Sequence, residues 1–140
     1  MAVDTHQFEV QTRGDSQVVN LTDHVGELLS HGKVTCGIAT VFVVGSTAGI
    51  TTTEFEPGLV DHDLKAAFDK IAPDDGIYEH EQTWNDDNGH AHVRASLLGP
   101  SLTVPVVDGR LRLGTWQQIV LIDFDTRERT RTVIVQVMGE

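Results

Sequence analysis

Positive charge is scarce in this 140-residue chain, where ten lysines and arginines stand against 21 acidic residues for a formal charge of −11. A field of that sign repels phosphate backbones and anionic lipid, which excludes nucleic acid and membrane surfaces as expected partners. Cysteine is scarcer still. Cys36 stands alone, which excludes an internal disulfide, and its place between Thr35 and Gly37 in an apolar run predicts a buried small hydrophobe. No apolar run approaches the roughly 18 residues that cross a bilayer. The opening Met1-Ala2-Val3-Asp4-Thr5-His6 lacks the cationic start and apolar stretch of a secretory leader, so a soluble, cytoplasmic protein is expected. Lysine occurs only at Lys33, Lys65 and Lys70, and Asp outnumbers Glu, a surface suited to high salt.

What is present is a set of short Val-, Ile- and Leu-rich segments that can build one core, so residues 1–140 are expected to form a single domain. Phe8–Thr12 alternates apolar with polar residues and Gln17–Leu21 follows a Gly14-Asp15-Ser16 turn, the pattern of an opening β-hairpin. Asp23–Ser30 reads as a short helix capped by Thr22 or Asp23 and ended at Gly32. Val34–Val44 reads as a strand covered on both faces. Val60, Leu64, Ala67, Phe68 and Ile71 recur at helical spacing between Pro57 and Pro73. From Val93 onward the chain reads as strands separated by turns, clearest at Asp108-Gly109, a tight-hairpin signal. These elements predict an α+β fold, mostly antiparallel β-sheet or sandwich, with about two helices.

Chemistry concentrates in Tyr78–His92, which holds three of the seven histidines together with Glu79, Glu81, Asp86 and Asp87. Its polarity has neither a helical nor a strand period, so a loop entering a strand at His92 is expected. In a strand, His90 and His92 would share a face and could bind one metal ion with His80 or an Asp as third ligand. The histidines could instead serve as acid and base, an Asp fixing one tautomer. Arg94 beside the imidazoles suits a phosphoryl group, the third reading. Leu97–Ser101 and Leu113–Gln118 read as turn chemistry around a packed Trp116.

Several ordered strings then coincide: Thr47-Ala48-Gly49-Ile50 with Glu54, Tyr78-Glu79-His80, the acidic, Asn-containing loop to His92, Leu98-Gly99-Pro100-Ser101, Pro105 with Gly109, Leu113-Gly114-Thr115-Trp116-Gln117 and a closing Val137-Met138-Gly139-Glu140. In these strings, and over almost its whole length, the chain resembles the YjbQ-like family, also called the secondary thiamine-phosphate synthase family. The resemblance implies a compact homotrimer with a weak capacity to condense a pyrimidine diphosphate with a thiazole phosphate into thiamine phosphate. It carries over His80, Asp86 or Asp87, His92 and Gln117 as catalytic candidates, with Ser101, Thr115 and Glu54 as polar residues of the same site; His90 does not carry over. Arg94 and Ser46 are added as substrate-binding candidates, a small phosphorylated metabolite is the expected ligand, and His80 with His92 are the candidate ligands of a divalent metal, Mg or Zn. One departure is visible: many members place a histidine where this chain has Gly45, leaving Ser46 or His90 to compensate. A non-catalytic trimeric module binding the same metabolite or a metal ion is the alternative.

Overall fold

A computed structural model describes residues 1–140. Strand alternation dictates its first layer. In β8 (Arg129–Gly139), Arg131, Val133, Val135 and Val137 are buried while Thr130, Gln136 and Met138 face outward, the period-two signature of a half-covered sheet. β8 lies between β1 (Ala2–Thr12) and β3 (Cys36–Val43); β5 (Ser101–Val107) and β6 (Arg110–Leu111) complete an antiparallel sheet in the order β1-β8-β3-β5-β6. A second sheet, β2 (Gln17–Asn20), β7 (Gln117–Asp123) and β4 (Ala48–Glu54) in the order β2-β7-β4, packs upon it.

β7 is the strand covered on both faces. Its Ile119 and Leu121 enter the core formed with Val41 and Val135 of the first sheet and with Val25 and Leu29 of α1 (Thr22–His31). Its alternate residues Val120 and Ile122, followed by Phe124, pack on Ala91 and Ala95 of α4 (Gly89–Leu98), with Leu64 and Phe68 of α2 (Leu64–Ile71) beside them. Full burial of each such aliphatic side chain contributes roughly 1.5–3 kcal/mol, so the two cores hold sheet to sheet and helices to sheet. The fold is α+β, as predicted, with four α-helices where about two were expected; α3 (Glu79–Trp84) is the shortest, and a π-helical turn over Leu59–Asp63 leads into α2. The hairpin at Asp108-Gly109 forms, both residues at positive φ as a mirror-image two-residue turn requires.

Four expectations are corrected. The opening hairpin does not form: β1 pairs with β8 and β2 with β7, the chain crossing between sheets at Arg13–Ser16. β3 buries only Ala39, Val41 and Val43; Ile38 and Phe42 are exposed on a sheet face that no helix covers, and Cys36 is exposed with them. Neither Thr22 nor Asp23 caps α1, because the Thr22 hydroxyl accepts the Ile119 N–H instead (2.9 Å). Val93–Leu98 is helix, not strand: Ala91, Ala95 and Leu98 recur at helical spacing, and Gly99 (φ 93°) ends α4 as glycine does at helix exits.

Candidate functional site

Two short helices build the histidine cluster. α3 runs six residues from the extended Tyr78 and stops at Asn85, whose left-handed conformation (φ 54°, ψ 46°) asparagine adopts more readily than most side chains. Asp86, Asp87 and Asn88 then lead to Gly89, the first residue of α4. A Cβ at Gly89 would lie 2.5 Å from the Tyr78 Cβ, so glycine lets the start of α4 close against α3. That closure places His80 Nε2 3.2 Å from Asp86 Oδ2 and 3.2 Å from Asn88 Oδ1, with the His92 ring centroid 4.5 Å from that of His80. His80 and Asp86 keep about a third of their side-chain surface exposed (31% and 33%), open enough to meet a small molecule. A carboxylate on one ring nitrogen orients the imidazole and selects its tautomer, the arrangement that acid–base chemistry uses.

The helix overturns the shared face expected of His90 and His92. Two residues along an α-helix turn side chains about 200° apart, so His92 faces His80 while His90 turns away, its centroid 6.3 Å from Tyr78. Burial lowers the His90 pKa, and Arg94 lowers it further. A direct Mg or Zn centre on His80 and His92 does not fit these side chains: Nε2 of His80 already meets Asp86 and Asn88, and no three His, Cys, Asp or Glu side chains converge on one ion.

Arg94 belongs to the framework. It is 1% exposed, and its Nε donates to Ala72 O (2.9 Å), Nη1 to Ser16 Oγ (3.0 Å) and Nη2 to Asp69 Oδ1 (2.8 Å), which leaves no fork for a phosphoryl group. Burial alone would raise the Asp69 carboxyl, but the Arg94 and Lys65 bonds outweigh it and hold that pKa below the usual range.

Ser101 and Gln117 meet elsewhere, in a cavity of about 310 Å³ between β4 and β5 that Thr52, Leu98 and Arg112 also line. Gln117 Nε2 donates to Thr52 Oγ1 (3.0 Å), and Gln117 Oε1 accepts from Gly114 N (3.0 Å). Glu54 pairs in register with Gln117 and lines an adjoining shallow cavity with Phe55 and Trp116, while Thr115 is exposed in the turn before β7. Trp116, expected to be packed, is 73% exposed, because the turn carries it out over the sheet edge. α4 spans both places, its first turns at the histidines and its last residue, Leu98, at the cavity. His92 and Leu98 are six residues apart, roughly 9 Å along the axis.

Ser46 lies at a third place, exposed in the β3–β4 turn, and sequence reasoning missed what its neighbours form. Arg131 donates through Nε and Nη2 to both oxygens of Asp123 (2.7 and 2.9 Å) and through Nη2 to Thr47 Oγ1 (2.7 Å). Asp125 accepts from Thr47 (2.9 Å) and Arg129 (3.0 Å). Burial would raise the Asp125 carboxyl, yet bonds from Thr126 N–H, Thr47 and Arg129 hold it below the usual range. Gly45 (φ 132°) touches this network: a Cβ there would stand 2.7 Å from Arg131 Nη1. The guanidinium fills the space that a side chain at position 45 would need. The spacing of Asp123, Asp125, Arg129 and Arg131 at strand ends was the available signal, since charges flanking apolar strands pair when buried.

No helix is long and apolar enough to cross a membrane. The model of the family described as UPF0047 protein YjbQ-like matches residues 6–140. A UPF0047 protein of Methanocaldococcus jannaschii is 32% identical over 134 residues, spanning 96% of this chain and 94% of its own. The UPF0047 protein YugU of Bacillus subtilis is 35% identical over 133 residues, spanning 94% and 97%. Among solved structures, a hypothetical protein from Aeropyrum pernix superposes with a TM-score of 0.89 at 36% identity, covering 98% of this chain and 99% of that one. The YbjQ-like protein of unknown function from Sulfolobus solfataricus gives 0.88 at 30% identity, covering 99% and 100%. With the family model matched from His6 to Glu140 and relatives above 30% identity over nearly their whole length, the chain belongs to the YjbQ-like UPF0047 family.

Proposed function

We propose that the His80–Asp86–His92 cluster is an acid–base site for a small phosphorylated metabolite, and that the reaction is of the thiamine-phosphate synthase type. The observation that supports this is the paired imidazoles, with Asp86 3.2 Å from one ring. In the condensation, the pyrimidine methylene carbon loses diphosphate as its C–O bond breaks, and the thiazole nitrogen forms the new C–N bond. The departing diphosphate gathers negative charge, which a protonated imidazole held in place by Asp86 can meet. Purified protein is expected to form thiamine phosphate from the two substrates, and His80→Ala to lower the rate by about a hundredfold. No product, together with no rescue of an auxotroph lacking the dedicated synthase, sinks the reading.

The alternative, a binding module that holds such a metabolite without turnover, is favoured by the internal commitment of Arg94, which removes the strongest fixed cation from the site. Retention of a substrate in native mass spectra without product would select it. Assembly as a homotrimer belongs to the same proposal. It draws support from the uncovered face of the five-stranded sheet, where Val3, Ile38, Phe42 and Met138 are exposed, and from the separation of Ser101 and Gln117 from the histidines within one chain. A neighbour's cavity brought to the histidines would reunite them; a monomer by sedimentation would contradict it. A cytoplasmic setting is proposed with it, consistent with the free Cys36.

A further inference from the structure

The cavity between β4 and β5 exists because both sheets have open edges there. β4 is the outer strand of its sheet. β6, two residues long, covers β5 at Val106 and Val107 alone, so Ser101–Val104 has a strand partner on one side only. Leu111 packs against the core, and Arg112, next along, is exposed on the opposite side, as strand alternation requires. Its N–H donates to Pro105 O (2.9 Å), which fixes its backbone against β5, and Arg112 lines the cavity.

The framework cations of this chain are matched by carboxylates: Arg94 by Asp69, Arg129 by Asp125, Arg131 by Asp123 and Lys65 by Asp15. Arg112 is different. Its guanidinium makes no ion pair or hydrogen bond, and none of the 12 residues lining the cavity is acidic, although the chain carries a charge of −11. The capacity left over at the wall is for donating. Thr52 Oγ1 already accepts from Gln117 Nε2 (3.0 Å), and Gln117 Oε1 from Gly114 N (3.0 Å), so Thr52 keeps its hydroxyl hydrogen and Gln117 its second amide hydrogen. The Ser101 hydroxyl has no partner within the chain, and a guanidinium offers donors only.

We propose that this cavity holds a small phosphate monoester, with Arg112 as the residue that selects its phosphoryl group. The inference rests on the proposed function in taking the ligand as phosphorylated; it seats the phosphate that stays on its substrate here and leaves the departing diphosphate to His80. A phosphoryl group presents acceptors only, and the guanidinium fork matches two of its oxygens at once. A carboxylate has fewer oxygens for the same donors. Ile50 and Leu98 give the ligand's body an apolar wall. At about 310 Å³ the cavity lies at the low end of the roughly 300–1,000 Å³ of small-molecule sites, room for a single-ring monoester rather than a nucleotide.

The test titrates the isotope-labelled full chain with phenyl phosphate in about 0.1 M NaCl, followed by NMR. The Ser101 backbone and Gln117 side-chain amide signals are expected to shift saturably, with a Kd on the order of 1 mM for a ligand of this size. Phenol, the same ring without the phosphoryl group, is expected to bind at least about tenfold more weakly. Arg112→Met removes no bond of the fold and is expected to weaken phenyl phosphate about tenfold to a hundredfold, the worth of a charge-assisted hydrogen bond. Lys70→Met makes the same charge change at an exposed residue outside the wall and is expected to cost less than about twofold, because salt screens distant charges. The proposal is overturned by shifts that do not saturate or that centre on His80 and His92, by phenol binding as tightly, by unchanged affinity in Arg112→Met, or by an equal loss in Lys70→Met. The measurement needs no turnover, so its failure leaves the acid–base reading of the histidine cluster standing. Saturable binding here with no thiamine phosphate formed removes that reading and keeps this one.

Discussion

Replacing Arg94 with Met keeps most of the buried stem and deletes the fork that joins α4 to the end of α2 and to the β1–β2 crossover. Three bonds are lost, to Ala72 O, Ser16 Oγ and Asp69 Oδ1. Breaking a buried charged group from its partners costs about 3–5 kcal/mol. Asp69 is 41% exposed and can turn to water, so its share is discounted and about 3 kcal/mol remains, mainly from the stranded Ala72 carbonyl and Ser16. For 140 residues an unfolding entropy of about 2 cal/mol/K per residue converts this to a fall in Tm of about 10 °C. The assay is thermal unfolding by circular dichroism, variant and parent at one protein concentration, with Arg94→Lys alongside. Lysine restores one donor and the charge but not the fork, so it is expected to recover less than half of the loss. If Arg94→Met unfolds within about 2 °C of the parent while losing a phosphorylated ligand, the framework assignment fails and Arg94 returns to the binding site.

Gly45→His, the residue that the family resemblance implies at this place, is expected to destabilise the fold by about 1–3 kcal/mol, because an L side chain is strained at φ 132° and its Cβ would meet the anchored Arg131; unchanged urea midpoints would refute this. Asp125 titrates below its unfolded value, so on acidification the unfolded chain takes up its proton first. The stability it contributes is complete above about pH 4 and is lost as pH falls through the folded value. Asp125→Asn should therefore show a flatter decline of the urea midpoint below about pH 4, and an equally steep decline would count against the network. Raising NaCl from about 0.1 M to about 2 M is expected to raise Tm, since the −11 charge repels itself at low salt; a Tm that stays level removes the high-salt reading of the surface.

Where one period dominated, the sequence was readable. β8 alternates without a break, Leu64 and Phe68 mark the α2 face, and Asp108-Gly109 could only be a tight turn. Errors arose where tertiary context decides between equal local preferences. Val93–Leu98 carries β-branched and aliphatic residues that suit either state, and it is helical because Ala91 and Ala95 must lie flat on β7. β3 and β7 look equally apolar, yet only β7 has helices behind it. The nearness of His80, Asp86 and His92 followed from motif resemblance, whereas their geometry depends on a left-handed Asn85 that no periodicity announces. Arg94 was misread because a guanidinium beside histidines looks the same in sequence whether its partners are ligand oxygens or the chain's own Ala72, Ser16 and Asp69.

The contact between Gly45 and Arg131 couples these two positions energetically. With Arg131 clamped by Asp123 and Thr47, a side chain at position 45 presses on the seated guanidinium, and a guanidinium that leaves its seat strands the buried Asp123, whereas Asp125 keeps Arg129 at 2.8 Å. A side chain at position 45 and a change at position 131 or in its clamp are therefore expected to be non-additive in stability.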